Sequence, residues 1–101
     1  MNTAALLYAS FFLLFSAGIV HADTVGEKLF NQKCIMCHIV KGKGGAIGPD
    51  LTTVGSRMSL QQIRIKVMVP KRTDPSSKMP SFRTLPATEL DAVINHTKNL
   101  K

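Results

Sequence analysis

The chain has 101 residues and a formal net charge of +7, with no Trp, one Tyr and five Phe. That is enough for one small domain and too little for a large apolar core, so a metal, disulfide or cofactor is expected to help hold it. The thirteen Lys and Arg are spread along the chain with no nucleic-acid motif among them. This argues against nucleic-acid binding and leaves a field that favours acidic protein faces or anionic membrane.

Met1 to Ala22 contains no Lys, Arg, Asp or Glu, and Ala4 to Val20 is apolar apart from Ser10, Ser16 and Gly18. Val20-His21-Ala22 then puts a small residue just before a charged stretch. We read residues 1–22 as a secretory signal cleaved after Ala22, although no Lys or Arg precedes the apolar run. The rival reading is a retained membrane anchor, for which a run of this length lies at the lower limit. Tyr8 falls in this segment, so the domain of residues 23–101 keeps only Phe30 and Phe82 as aromatic anchors.

Three helices are predicted in that domain. The first runs from Thr24 to about Cys37, opened by Thr24-Val25-Gly26-Glu27 as a capping box. Val25, Leu29 and Lys33 share one face, and Gly26 and Phe30 share another. The second opens on the capping box Ser59-Leu60-Gln61-Gln62 and runs to about Val69. Leu60, Ile63 and Val67 form its apolar repeat, and Pro70 stops it. The third runs from about Pro86 to Leu100, with Pro in the first turn and an inner stripe of Leu90, Val93, Ile94 and Thr97. Glu89 and Asp91 suit its positive end, and Lys98 and Lys101 its negative end. Glycines punctuate Lys41 to Gly48, and prolines punctuate Pro70 to Pro86. No alternating strand pattern is visible, so the plan is all-α, with long loops wrapped around something.

Cysteine spacing indicates what that something is. Cys34-Ile35-Met36-Cys37-His38 is the C-x-x-C-H pattern of covalent haem c attachment. Residues three apart share a helix face, so both sulfurs can reach the two vinyl groups of one porphyrin, and His38 projects its imidazole towards the iron. A redox dithiol would want a βαβ context, and a zinc site a fourth ligand; neither is apparent. Met79 is the candidate sixth ligand. Pro80 pushes it into extended backbone on a loop, where its sulfur can turn inward, and a thioether on iron raises the potential. The alternatives are His96 or water at the iron. Met36 lies inside the C-x-x-C turn, Met58 precedes the second helix, and Met68 is expected in its core face.

Together these residues resemble a bacterial class I cytochrome c, the small single-haem kind. The resemblance spans essentially all of residues 23–101. It rests on Gly26-x-x-x-Phe30, Cys34 to His38, Gly48-Pro49-Asp50-Leu51, Met79-Pro80-Ser81-Phe82 and the terminal helix, in that order. It implies a small cytochrome c fold of three to four helices around one haem. It also implies a Pro49 carbonyl that accepts a hydrogen bond from His38 and orients it, with Leu51 and Phe82 as haem-packing residues. The chain departs from the pattern at three places. His96 stands where an aromatic residue usually packs on the Gly26/Phe30 face, Thr97 replaces an apolar residue, and Asp50 replaces Asn. Arg57 and Arg83 are left as candidates for a haem propionate.

The function implied is one-electron shuttling with His38 and Met79 as axial ligands, without breaking substrate bonds. The expected setting is periplasmic, as a monomer meeting redox proteins through an acidic docking face. Lys33, Lys41, Lys43, Lys71, Arg72 and Lys78 would border the exposed haem edge. Two alternatives stand: a peroxidase-like or ligand-binding haem protein, and a haem subunit of a membrane redox complex.

Overall fold

The computed structural model describes residues 22–101. Apart from Ala22, the expected signal segment lies outside the described residues. Four α-helices are found among them: α1 (Ala22–Lys33), α2 (Val54–Arg57), α3 (Leu60–Met68) and α4 (Ala87–Lys98). A 3-10 turn, Pro70–Arg72, follows α3. The fold is therefore mostly helical, as expected. No helix among the described residues is long and apolar enough to cross a membrane.

Helix α1 differs from expectation at both ends. It begins at Ala22, so Thr24 and Glu27 lie inside it and do not cap it. It ends at Lys33, where the chain loosens into a turn. Phe30 O accepts from Cys34 N at 2.8 Å and also from Ile35 N at 3.2 Å, one residue too far for an α-helix. Cys34 O then accepts from both Cys37 N (3.1 Å) and His38 N (3.0 Å). The haem motif thus sits on a widened turn continuing from α1.

The capping box of α3 is present on both sides. Ser59 Oγ accepts from Gln62 N at 3.1 Å, and Gln62 Oε1 accepts from Ser59 N at 2.8 Å. Of its expected apolar repeat only Ile63 is buried; Val67 is half-buried, and Leu60, in the first turn, is exposed. Met68, expected in the core, is half-buried against it. Pro86 is the N-cap of α4 and not part of its first turn; its ψ of 143° is extended. The inner stripe Leu90, Val93, Ile94 and Thr97 is buried as expected.

Phe30 from α1, Ile63 from α3 and Leu90, Val93 and Ile94 from α4 make the core cluster. Helices α1 and α4 form its most extensive contact, and they cross at Gly26. A Cβ there would collide with the Ala92 carbonyl and lie 2.9 Å from His96 Cβ. Glycine lets the two backbones approach, and the His96 ring packs on Phe30 with centroids 5.2 Å apart and planes tilted by 55°. Among the described residues, Phe30 is the one Phe, Tyr or Trp in the buried cluster.

Two elements are additions to the expected plan. Strands β1 (Ile39–Val40) and β2 (Lys43–Gly44) pair antiparallel, Ile39 opposite Gly44 and Val40 opposite Lys43. Lys41 (φ 51°) and Gly42 (φ 79°) make the two-residue turn, the positive-φ geometry that suits a tight hairpin. Helix α2 is a single turn held from outside. Gly55 N donates to Leu100 O at 2.6 Å, and Lys98 Nζ donates to the carbonyls of Gly55 (2.8 Å) and Met58 (3.0 Å).

Candidate haem site

The turn after α1 presents Cys34, Cys37 and His38 in five residues, and the following loop is fastened around them. Gly45 N donates to Ile35 O (2.9 Å), Gly48 N to Cys37 O (2.7 Å) and Leu51 N to Ile39 O (2.8 Å). These three backbone bonds bring Pro49 over the imidazole. His38 Nδ1 lies 2.7 Å from Pro49 O. A carbonyl can only accept, so Nδ1 carries the proton and donates. The tautomer follows: Nε2 holds the lone pair and is the nitrogen left for a metal. This is the bond that the resemblance implies at Pro49.

Both cysteines are free and half-buried. Burial pushes the Cys34 thiol up to about 11, Cys37 beside it adds to the rise and Lys33 opposes it, so at neutral pH Cys34 is protonated. Against its side chain lies a narrow, mostly apolar pocket lined by Val67, Phe82, Leu85 and Val93, with Lys33 and Thr97. Thr97 Oγ1 donates to Val93 O at 2.7 Å, so its hydroxyl is satisfied within α4 and costs the pocket little.

The structure brings Cys34 and Phe82 together in that pocket, and His38 together with Pro49. Leu51 is half-buried against the core and does not line the pocket. Met79 is half-buried on its loop, outside the lining as well. That loop is tied down on both sides. Before Met79, the Asp74 carboxylate accepts from Ser76 N (3.1 Å) and Ser76 Oγ (2.7 Å), and Ser77 Oγ accepts from Met79 N (3.2 Å). After it, Ser81 Oγ donates to Met68 O, and Phe82 N donates to Val67 O at 3.0 Å.

Of the other expected participants, Arg57 is engaged elsewhere. Arg57 Nη2 donates to Asp50 O at 3.1 Å, and Arg83 is exposed. Lys33, Lys41, Lys43, Lys71, Arg72 and Lys78 are all exposed. Sequence reasoning made no reading of Leu85, placed Val93 only in the inner stripe of α4, and missed the hydrogen bonds joining Asp50, Thr52 and Lys41. Gly48 was visible only as part of a motif.

A family model described as Cytochrome c matches residues 24–101. The chain belongs to the cytochrome c family. A comparison with curated proteins gives no match. The family consists generally of electron carriers and has covalently bound haem c, with its iron, as cofactor. The residues of this member fit that group. They include two free thiols three apart, a histidine whose tautomer leaves the Nε2 lone pair for a metal, and apolar side chains beside one of the thiols.

Proposed function

We propose that this cytochrome c is an exported one-electron carrier, with haem thioether-linked at Cys34 and Cys37 and its iron held between His38 and Met79. The observation that carries the reading is the 2.7 Å bond from His38 Nδ1 to Pro49 O. It leaves the lone pair on Nε2 and makes the imidazole a stronger donor. Haem iron supplies the Fe(III)/Fe(II) couple. The chain's task is to keep the ligand geometry constant when the charge changes, and two hydrogen-bonded loops support that. One holds Pro49 against His38, and the other carries Met79 between Ser77 and Ser81. Phe82, Val67, Leu85 and Val93 give the Cys34 side an apolar lining.

The partner is a redox protein with an acidic face. Met36, inside the cysteine turn, is 70% exposed, and Ile47, on the loop fastened to that turn, is 83% exposed. Lys33, Lys41 and Lys43 lie in the same segments. An apolar centre with a basic surround favours a brief encounter steered by charge. Export rests on the apolar segment Met1 to Ala22, removed before Asp23, which gives a periplasmic carrier.

Two measurements test the proposal. Intact mass is expected to equal residues 23–101 plus one haem; an unmodified chain from cells able to attach haem sinks the cofactor assignment, and a retained leader replaces the free periplasmic carrier with the membrane-anchored reading. The oxidised protein is expected to show the far-red band of a thioether bound to ferric iron. A high-spin spectrum that responds at once to cyanide would replace the carrier reading with a ligand-binding one.

A further inference from the structure

The bond that orients His38 depends on where the Pro49 carbonyl sits, and an exposed side-chain network holds the next three residues. Asp50 Oδ1 accepts from Thr52 N at 2.8 Å and from Thr52 Oγ1 at 2.6 Å. Thr52 Oγ1 in turn accepts from Lys41 N at 2.9 Å. The hydroxyl is thus both donor and acceptor, joining the carboxylate to the hairpin turn that follows His38. Lys41 is the residue at φ 51° in that turn, an uncommon conformation for a side chain other than Gly, Asn or Asp. On the other side, Arg57 Nη2 donates to Asp50 O at 3.1 Å. Bonds on both flanks therefore hold the peptide that follows Pro49. A charged acceptor makes the strongest of these contacts.

We infer that Asp50, acting through Thr52, is a positioning residue for His38: the Asp50–Thr52–Lys41 network holds the 49–52 turn so that the Pro49 carbonyl stays on Nδ1–H. The inference rests on the proposed iron ligation by His38. A shorter Nδ1–H to carbonyl bond makes the imidazole a better donor and favours ferric iron. Loosening the network therefore raises the reduction potential. Asp50 and Thr52 hydrogen-bond each other and the hairpin, not His38 itself, so the effect is transmitted through the backbone of the 49–52 turn.

The test uses the holoprotein. Thr52→Val keeps the β-branched shape, the Thr52 backbone N–H and the Asp50 charge, and removes only the hydroxyl. Thr52→Ser restores it. The readouts are the exchange rate of the His38 Nδ1 proton with solvent, by NMR, and the reduction potential. Thr52→Val is expected to speed the exchange about fivefold, the factor equivalent to one ordinary hydrogen bond, and to raise the potential. Thr52→Ser is expected to match the parent in both. Asp50→Ala, which removes both acceptor contacts, should exchange at least as fast as Thr52→Val. Unchanged exchange and potential in Thr52→Val, with covalent haem and a low-spin spectrum retained, overturns the inference. Loss of histidine ligation in the parent protein would instead refute the reading on which it rests.

Discussion

Gly48 lies against the face of the His38 imidazole so closely that a Cβ there would fall 2.5 Å from Cε1 and 2.8 Å from Nδ1. The ring is also held by Pro49, the next residue. Gly48→Ala must therefore displace either the ring or the loop, and both moves lengthen the Nδ1–H to carbonyl bond. The holoprotein is expected to lose about 1–3 kcal/mol, the usual cost of overpacking. Denaturant unfolding measures the loss. A midpoint equal to the parent's would show that the loop accommodates a methyl group without strain.

The Met79 loop offers a different lever. Ser81 Oγ donates to Met68 O and fastens the loop to the end of α3. Ser81→Ala removes that bond and keeps the neighbouring bond from Phe82 N to Val67 O. With Met79 on the iron as proposed, an exogenous ligand such as imidazole should then displace the thioether about fivefold more readily, as expected for loss of one net hydrogen bond. Titration of the far-red band reads this directly. An unaltered binding constant would mean that the remaining bonds, from Phe82 N to Val67 O and from Met79 N to Ser77 Oγ, position the loop without Ser81.

Helix α3 was legible because its signals are local: Ser59 and Gln62 stand three apart, and the stop is Pro70 itself. The α4 stripe was legible because burial follows the helical period. Strands of two residues have no period to read, and α2 depends on Leu100 and Lys98, more than forty positions away in sequence. The haem motif declared itself through residue type and spacing. The Asp50–Thr52–Lys41 network did not, because it exists only once the hairpin brings residue 41 beside residue 52. Thr24-Val25-Gly26-Glu27 had the right letters for a cap, but α1 extends through them to Ala22.

Two loops share one acid-sensitive device. Hydrogen bonds from the Thr52 side chain and backbone hold the Asp50 carboxyl below its ordinary 3.8, with Arg57 helping slightly. Ser76 does the same for Asp74, with help from Lys66. A carboxyl lowered in the folded state adds stability that is fully present above pH 3.8 and disappears as the pH falls through its folded value. The His38-side and Met79-side loops should therefore stay intact at neutral pH and loosen only in strong acid. Carboxyl carbon titration by NMR is expected to give both midpoints below 3.8. Midpoints at or above that value would show that neither hydrogen-bonded turn persists in solution.

Lys98 joins the end of α4 to the far side of α2. Its ammonium group donates to Gly55 O at 2.8 Å and to Met58 O at 3.0 Å, carbonyls that a one-turn helix cannot satisfy internally. Lys98→Met keeps the apolar stem and removes both charged donors. Hydrogen bonds from a charged group are worth more than neutral ones, and partial exposure lets water replace part of the loss, so about 1–2 kcal/mol of holoprotein stability should go. The Lys98 ammonium is directed to the carbonyls at α2, away from His38 and its Pro49 partner; the visible spectrum and reduction potential are expected to match the parent while the denaturation midpoint falls. A change in potential at unchanged stability would contradict this separation and place α2 in the electronic environment of the haem.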